Sequence, residues 1–306
     1  MLKGIYPIVV AGLLLSLGSC KEQPVILSHG AKGVDSTYVG AVETPQAKTV
    51  LATELTGVTC PNCPEGAEFL ESLNQQHGGN LIVVSLHAGT LTTPIDKPEA
   101  HSQYDFRTED GNAILDQIFG GDPNSKPSAA FNRLPIGNNQ SASKYFIDSY
   151  ILNWEPKLSD AFAQEPTVKV NVTVSSEYNS STGKYDIQAK VAYNQSVSGK
   201  QRLNLYLLQD SIIDVQQTSN PSETYNDHYV FMNVFRKAIT GISGQPILDS
   251  LTTKEAGRVY IFNTSVVLNP EINQDWVAKN MHVVAFVSEK ATDDIHVFQS
   301  AKTTLE

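Results

Sequence analysis

The sequence predicts an α/β segment followed by an all-β sandwich, and three observations carry this. Residues 49–87 alternate strand, turn, helix and strand around a C-x-x-C pair. After Pro166 the apolar residues switch to a period of two. The length, 306 residues, suits two domains that can each bury a core. Composition agrees: 41% hydrophobic and 18% charged residues make a globular chain, neither disordered nor fibrous. With Lys plus Arg at 22 against Asp plus Glu at 32, the net charge is −10 and no basic run is present. That balance excludes sequence-independent nucleic-acid binding, which needs clustered cations on phosphates. Beyond the N-terminus no stretch approaches the roughly 20 apolar residues of a spanning helix, so any membrane link is expected at the front.

The front reads MLKGIYPIVVAGLLLSLGSC. Lys3 gives a short positive start and residues 8–17 an apolar run too short to span, followed by small residues: a secretory signal over residues 1–19. The ending Leu17-Gly18-Ser19-Cys20 resembles the bacterial lipobox. That resemblance implies cleavage before Cys20, lipid on its thiol and anchoring to a membrane, at about 0.8 kcal/mol per buried methylene. Residues 20–46 are polar with scattered Pro and Gly, and are expected as a lipidated tether with at most one early strand.

With Cys20 lipidated, Cys60 and Cys63 remain, in Cys60-Pro61-Asn62-Cys63. An exported protein permits a disulfide there. Two thiolates fall short of the four ligands of structural zinc, and no second C-x-x-C exists, so neither metal nor cofactor is expected. Residues 49–55 (TVLATEL) form a candidate buried strand, residues 56–59 turn the chain, and EGAEFLESLNQQ forms a helix with Cys63, Ala67 and Leu70 on its inward stripe. This places Cys60 at the helix start, with Pro61 in the first turn. The partial positive charge of a helix N-terminus favours thiolate, which is why a reactive dithiol uses that position. Residues 81–87 (LIVVSLH) follow as a second buried strand.

Strand, C-x-x-C helix, strand resembles the opening of a thioredoxin-like fold, expected here over residues 47–164. Residues 125–131 (SKPSAAF) resemble the stretch where thioredoxins place a cis-proline facing the disulfide, which makes Pro127 the candidate. Glu54 lies six residues before Cys60, where that family carries a buried acid that takes the resolving thiol's proton; a solvated strand-end acid is the alternative. The sequence departs from thioredoxins at Thr59, where they carry Trp, and at Pro64, which lacks an N–H. It departs again in LPIGNNQ, too short for the usual second hairpin strand, which leaves a sheet edge where the segment before Gln46 is a candidate to pair. Residues 54–66 (ELTGVTCPNCPEG), with HVVAFV at 282–287 and HYVFMNVFR at 228–236, further resemble the Bacteroidetes outer-membrane lipoprotein family named for a twenty-eight-kilodalton outer-membrane protein. The resemblance implies a lipid-anchored protein of the bacterial outer membrane, on a face left open, with a thioredoxin-like domain. It does not fix a reaction.

Residues 89–108 are expected as an insertion near the cysteines, residues 109–119 as a helix, and residues 141–164 as helical with a break near Pro156. His87 and His101 are candidates to sit near the dithiol, and Trp154 to pack in the core. From residue 165 to 306, Val168, Val170, Val172 and Val174 alternate with polar residues, and so do Tyr185, Ile187, Ala189, Val191 and Tyr193, with the turn NSSTGK between. Further strands at 203–208, 259–262, 281–287 and 295–298 make an immunoglobulin-like β-sandwich, interrupted by a long loop or strand pair at 220–244. Two functions remain open. In one, Cys60 attacks the disulfide of a protein client, Cys63 resolves, Glu54 moves the proton and Pro127 positions the client. In the other, the pair is a structural disulfide in an envelope adhesion or binding protein. A metal carrier, with His87, His101 or an Asp completing the dithiol, is the lesser alternative beside these two.

Overall fold

The computed structural model describes residues 25–28, 33–137, 143–268 and 276–305. The signal segment and Cys20 lie outside them. Strands β1 (Val25–Ser28) and β2 (Val34–Val39) come first, and are taken up with the sandwich below. Strand β3 (Val50–Thr56) is buried at every position, as a run of β-branched and apolar residues between two layers must be. Helix α1 (Cys63–Gln76) returns the chain to β4 (Leu81–His87), which pairs with β3 in parallel from Val50 opposite Leu81 to Thr56 opposite His87. Two short strands, β5 (Asp96–Lys97) and β6 (Ala100–His101), form a small hairpin in the expected insertion. Helix α2 (Glu109–Gln117) is N-capped by Thr108, whose Oγ1 accepts the Gly111 N–H at 2.9 Å. Strand β7 (Ser128–Phe131) then runs antiparallel to β3. As LPIGNNQ predicts, no second hairpin strand follows among the described residues; a single bridge joins Ala129 to Ile147. Helix α3 (Trp154–Ala163) starts before Pro156, not after a break at it: Pro156 falls in the first turn, where its missing N–H has no partner to lose.

Helices α1 and α3 cover one face of β7–β3–β4, with Val50, Ala52, Leu70, Leu73, Trp154 and Leu158 between them. On the other face Leu51, Leu55, Ile82 and Val84 pack with Ile114 and Leu115 of α2. The same cluster contains Tyr206, Phe235 and Phe286 from the later strands, so this core crosses the boundary expected at residue 164.

The later strands are β8 (Val170–Asn179), β9 (Lys184–Tyr193), β10 (Val197–Ser198), β11 (Gln201–Gln209), β12 (Ile212–Gln217), β13 (Tyr225–Phe231), β14 (Val234–Ala238), β15 (Gln245–Ile247), β16 (Thr253–Lys254), β17 (Arg258–Val266), β18 (Met281–Glu289) and β19 (Val297–Thr304). One layer is antiparallel in the order β1-β2-β17-β9-β8. Part of the segment expected as a tether is therefore sheet: β2 pairs with β17 from Val39 opposite Arg258 to Val34 opposite Asn263. It does not cap the edge beyond β7, where the missing hairpin strand had left room. The other layer runs β19-β18-β11-β14 and continues without a break into β4-β3-β7. The join is one register pair, Val234 with Ser85, where the Ser85 N–H donates to the Asn233 carbonyl at 2.9 Å. The alternating residues Val170, Val172, Val191, Leu205, Tyr260 and Val283 fill the space between the layers.

A covered disulfide beside a cleft

Cys60 and Cys63 are joined in a disulfide with their Cα atoms 5.4 Å apart. Helix α1 begins one turn later than the sequence suggests. Asn62 is its N-cap, Cys63 its first residue, and Cys60 lies ahead of it in a turn closed by Cys60 N–H to Gly57 O and Cys63 N–H to Cys60 O. Pro64, not Pro61, takes the first-turn slot that tolerates a missing N–H. The inward stripe is Cys63, Gly66, Leu70 and Leu73. Gly66 replaces Ala67 on it because a Cβ there would stand 2.8 Å from Pro127 Cγ and 3.1 Å from Trp154 Cη2. The Lys126–Pro127 peptide is cis, as the thioredoxin resemblance implies, and the ring packs on α1 at that glycine. Gly57 is another close approach, since a Cβ there would meet the Leu91 carbonyl oxygen at 2.0 Å.

Both cysteines are shut in: Cys60 is 1% exposed and Cys63 2%. The cover is the β12–β13 hairpin, about 150 residues away in sequence. Gln216 Nε2 donates to Cys60 O at 3.0 Å and to Gly57 O at 3.3 Å, Gln217 N–H to Val58 O at 2.9 Å, and Ser219 Oγ to Glu65 Oε1 at 3.1 Å. The hairpin is itself braced by Asp214, whose buried carboxylate accepts the N–H groups of Gln103, Tyr104 and Val215 at 2.8–3.1 Å. Val58, Ile95, Phe106, Ile212, Val215 and Phe231 close an apolar cluster behind it. The insertion at residues 89–108 thus supports the cover.

Glu54 is buried at 1% exposure, with Oε2 accepting from Ser85 Oγ at 2.8 Å and Oε1 without a hydrogen-bond partner. Burial pushes its carboxyl up to about 7, and the Ser85 hydrogen bond only moderates this. His87 sits between Phe106 and Phe231, at ring separations of 5.1 and 5.8 Å. Burial, helped by Arg236 and Lys126, pushes it down to about 3, so the ring is neutral. Lys126 is buried too, held by the Ala88 carbonyl at 2.8 Å, the Thr90 carbonyl and Asp122 at 3.1 Å. Glu54, His87 and Cys63 line a cleft of about 750 Å³ between α1, β4 and the hairpin; Cys60 and Pro127 do not. His101 stands apart, exposed and paired with Asp96. The sequence reading missed Gln216 and Asp214. Their signal was polar side chains inside an otherwise apolar strand, IIDVQQ. Among the described residues no cluster of His, Cys, Asp and Glu could hold a metal ion, and no helix is long and apolar enough to cross a membrane.

The family model for outer membrane protein Omp28 matches residues 122–305. The chain belongs to the Omp28 family. Membership places it at the bacterial outer membrane. The matched range includes Pro127 and the covering hairpin but not Glu54, Cys60 or Cys63, so membership gives no role to the disulfide. No curated protein matches the chain. Among solved structures, HBP35 of Porphyromonas gingivalis superposes with a TM-score of 0.60 at 14% identity, over 86% of this chain and 77% of that one. Protein AGR_C_4864 from Agrobacterium tumefaciens gives 0.50 at 12% identity, over 85% and 96%. At such identities the likeness concerns the fold alone. A domain of the outer membrane lipoprotein Omp28 from Porphyromonas gingivalis is 21% identical over 45% of this chain and 89% of that one, but superposes at only 0.29.

Proposed function

We propose that this Omp28-family chain is a binding protein of the outer membrane, anchored by lipid on Cys20. In this reading a thioredoxin-like unit, residues 47–164, is built onto an immunoglobulin-like sandwich, residues 165–306, and the Cys60–Cys63 disulfide is structural. The parallel β3–β4 pair, the antiparallel β7 after a cis-proline, and α1 and α3 on one face support the first unit. The two facing layers of antiparallel strands support the second. The observation that carries the structural role is the cover: both cysteines are buried under a hairpin hydrogen-bonded to the Cys60 carbonyl. Disulfide exchange needs in-line access of a thiolate to a sulfur, and the cover withholds it.

The test is reduction of the native protein by glutathione, followed by alkylation and mass measurement. Cys60 and Cys63 stay oxidised in the folded protein and become alkylated once urea unfolds it. Rapid labelling without denaturant refutes the structural role.

Buried Glu54 beside Cys63 favours a second reading, thiol–disulfide exchange with protein clients after the hairpin lifts. Cys60 would then attack, Cys63 resolve, Glu54 take the proton and Pro127 position the client. A Cys63→Ser variant expressed in the envelope decides between the two. Accumulating mixed disulfides through Cys60 support exchange; an empty trap supports the binding protein.

A further inference from the structure

The cleft beside the disulfide lies at the carboxyl ends of the parallel strands β3 and β4, where open α/β sheets bind ligands. Along the faces of these strands that look at α1, the lower residues are apolar: Val50 and Ala52, with Leu81 and Val83. The upper ones are polar: Glu54 and Thr56, with Ser85 and His87, and all four line the cleft. Its volume of about 750 Å³ suits a small organic molecule. Glu54 Oε1 is a buried acceptor without a partner, and such atoms in a folded protein call for one. The lining is mixed, and its apolar part includes Leu70 of α1 and Tyr229, Phe231 and Met232 at the hairpin end. The charged rim is unbalanced: Glu68, Glu71 and Asp210 against the single ammonium of Lys302.

We propose that this cleft binds a primary amine carried on an apolar body, with the ammonium on Glu54 and the body against Tyr229, Phe231 and Met232. An ammonium brings three donors to an acceptor that lacks one, and the ring faces beside it attract cations. An anionic ligand would face four carboxyl groups. A neutral alcohol of the same shape can donate to Oε1 but forms no ion pair.

Binding is coupled to pH, because the ammonium pairs with ionised Glu54 and burial holds that group protonated to about 7. The groups facing it are Ser85 and His87 from β4, Glu68 and Glu71 from α1, Tyr229 from β13, Asp210 from the turn before β12 and Lys302 from β19. Arg236 and Lys126 stand beyond His87 and act on its ring. His87, held down to about 3, and Tyr229, whose phenol burial raises, both stay neutral across the range tested. Affinity therefore rises with pH and levels off above about 8, and the dissociation constant at pH 6 is about tenfold that at pH 8. Cys63 lines the cleft, but the amine is held by Glu54 and the hairpin and breaks no bond of the disulfide, so this inference and the structural role of the disulfide stand or fall separately.

The experiment titrates the oxidised, full-length mature protein with phenethylamine and with 2-phenylethanol, following amide chemical shifts at pH 6 and pH 8. The amine shifts residues of α1, β4 and β13 and binds at least about tenfold more tightly than the alcohol at pH 8. Glu54→Gln abolishes that preference and the pH dependence together. Ala67→Trp, a substitution on the half-buried side of α1 that fills the cleft, abolishes binding of both probes and is judged only with native chemical shifts elsewhere. No shifts with the amine, equal affinity for amine and alcohol, or undiminished binding to a folded Ala67→Trp protein overturns the proposal.

Discussion

Replacing Glu54 by Gln should make the protein more stable above neutrality while changing the pH course of its stability in a calculable way. An isolated glutamate ionises near 4.5, and in the fold burial raises this to about 7. Between those values the native state holds a proton that the unfolded chain has released. Stability from the protonated group is therefore complete below about pH 4.5 and is lost as pH rises through about 7. The loss amounts to about 3 kcal/mol, from about 1.4 kcal/mol for each tenfold change in proton affinity. Gln keeps the acceptor that Ser85 Oγ uses and removes the charge. Any cost of its buried amide is the same at both ends of the pH range. The quantity to measure is the difference in unfolding free energy between variant and wild type, by urea denaturation with the disulfide intact, at pH 4.5, 6, 7 and 8. Other carboxyl groups cancel in that difference. It should move in favour of the variant by about 2–3 kcal/mol from pH 4.5 to pH 8. A difference that stays flat within about 0.5 kcal/mol would show that Glu54 is not held neutral by its surroundings, and the pH-dependent part of the amine proposal would fail with it.

His87 has the opposite sign: its folded value of about 3 lies below the ordinary 6.5, so the stability of its neutral ring is lost as pH falls through that interval. His87→Phe, set between Phe106 and Phe231, should flatten the decline of melting temperature between pH 7 and pH 4. Thr108→Ala removes the cap of α2 and should cost about 1 kcal/mol in urea unfolding. Gly66→Val forces a side chain between Pro127 and Trp154 and should cost about 1–3 kcal/mol or more, measured the same way. The double Cys60→Ser, Cys63→Ser variant opens a bridge of sequence separation 3 and should lose only about 2 kcal/mol by chain entropy.

Local chemistry made part of the site legible in advance. The run TVLATEL, the C-x-x-C with a helical stripe after it and the run LIVVSLH each act over fewer than about 15 residues, so periodicity alone located them. The cis bond at Lys126–Pro127 was a candidate only through the thioredoxin resemblance, whereas the short LPIGNNQ segment was readable in place. The start of α1 was misplaced by one turn because Pro61 and Pro64 both suit a first turn, and in the structure Pro64 holds that slot. The segment before residue 46 lost its expected freedom because β17, more than 200 residues later, offered β2 an edge.

From the amino-acid order alone followed the strands, the helix behind the cysteines and the change to a two-layer β segment after Pro166, each of which depends on neighbours in the chain; the buried acid came as a candidate from the thioredoxin resemblance. Only the tertiary structure decided that one sheet runs through both segments, that Gln216 lies over Cys60, and that Glu54 lines a cleft with its buried Oε1 lacking a hydrogen-bond partner. Exposure and ionisation are set by whatever packs alongside. Here that is a hairpin about 150 residues away, brought in by the pairing of β14 with β4 at a single register position, which no local pattern of residues encodes.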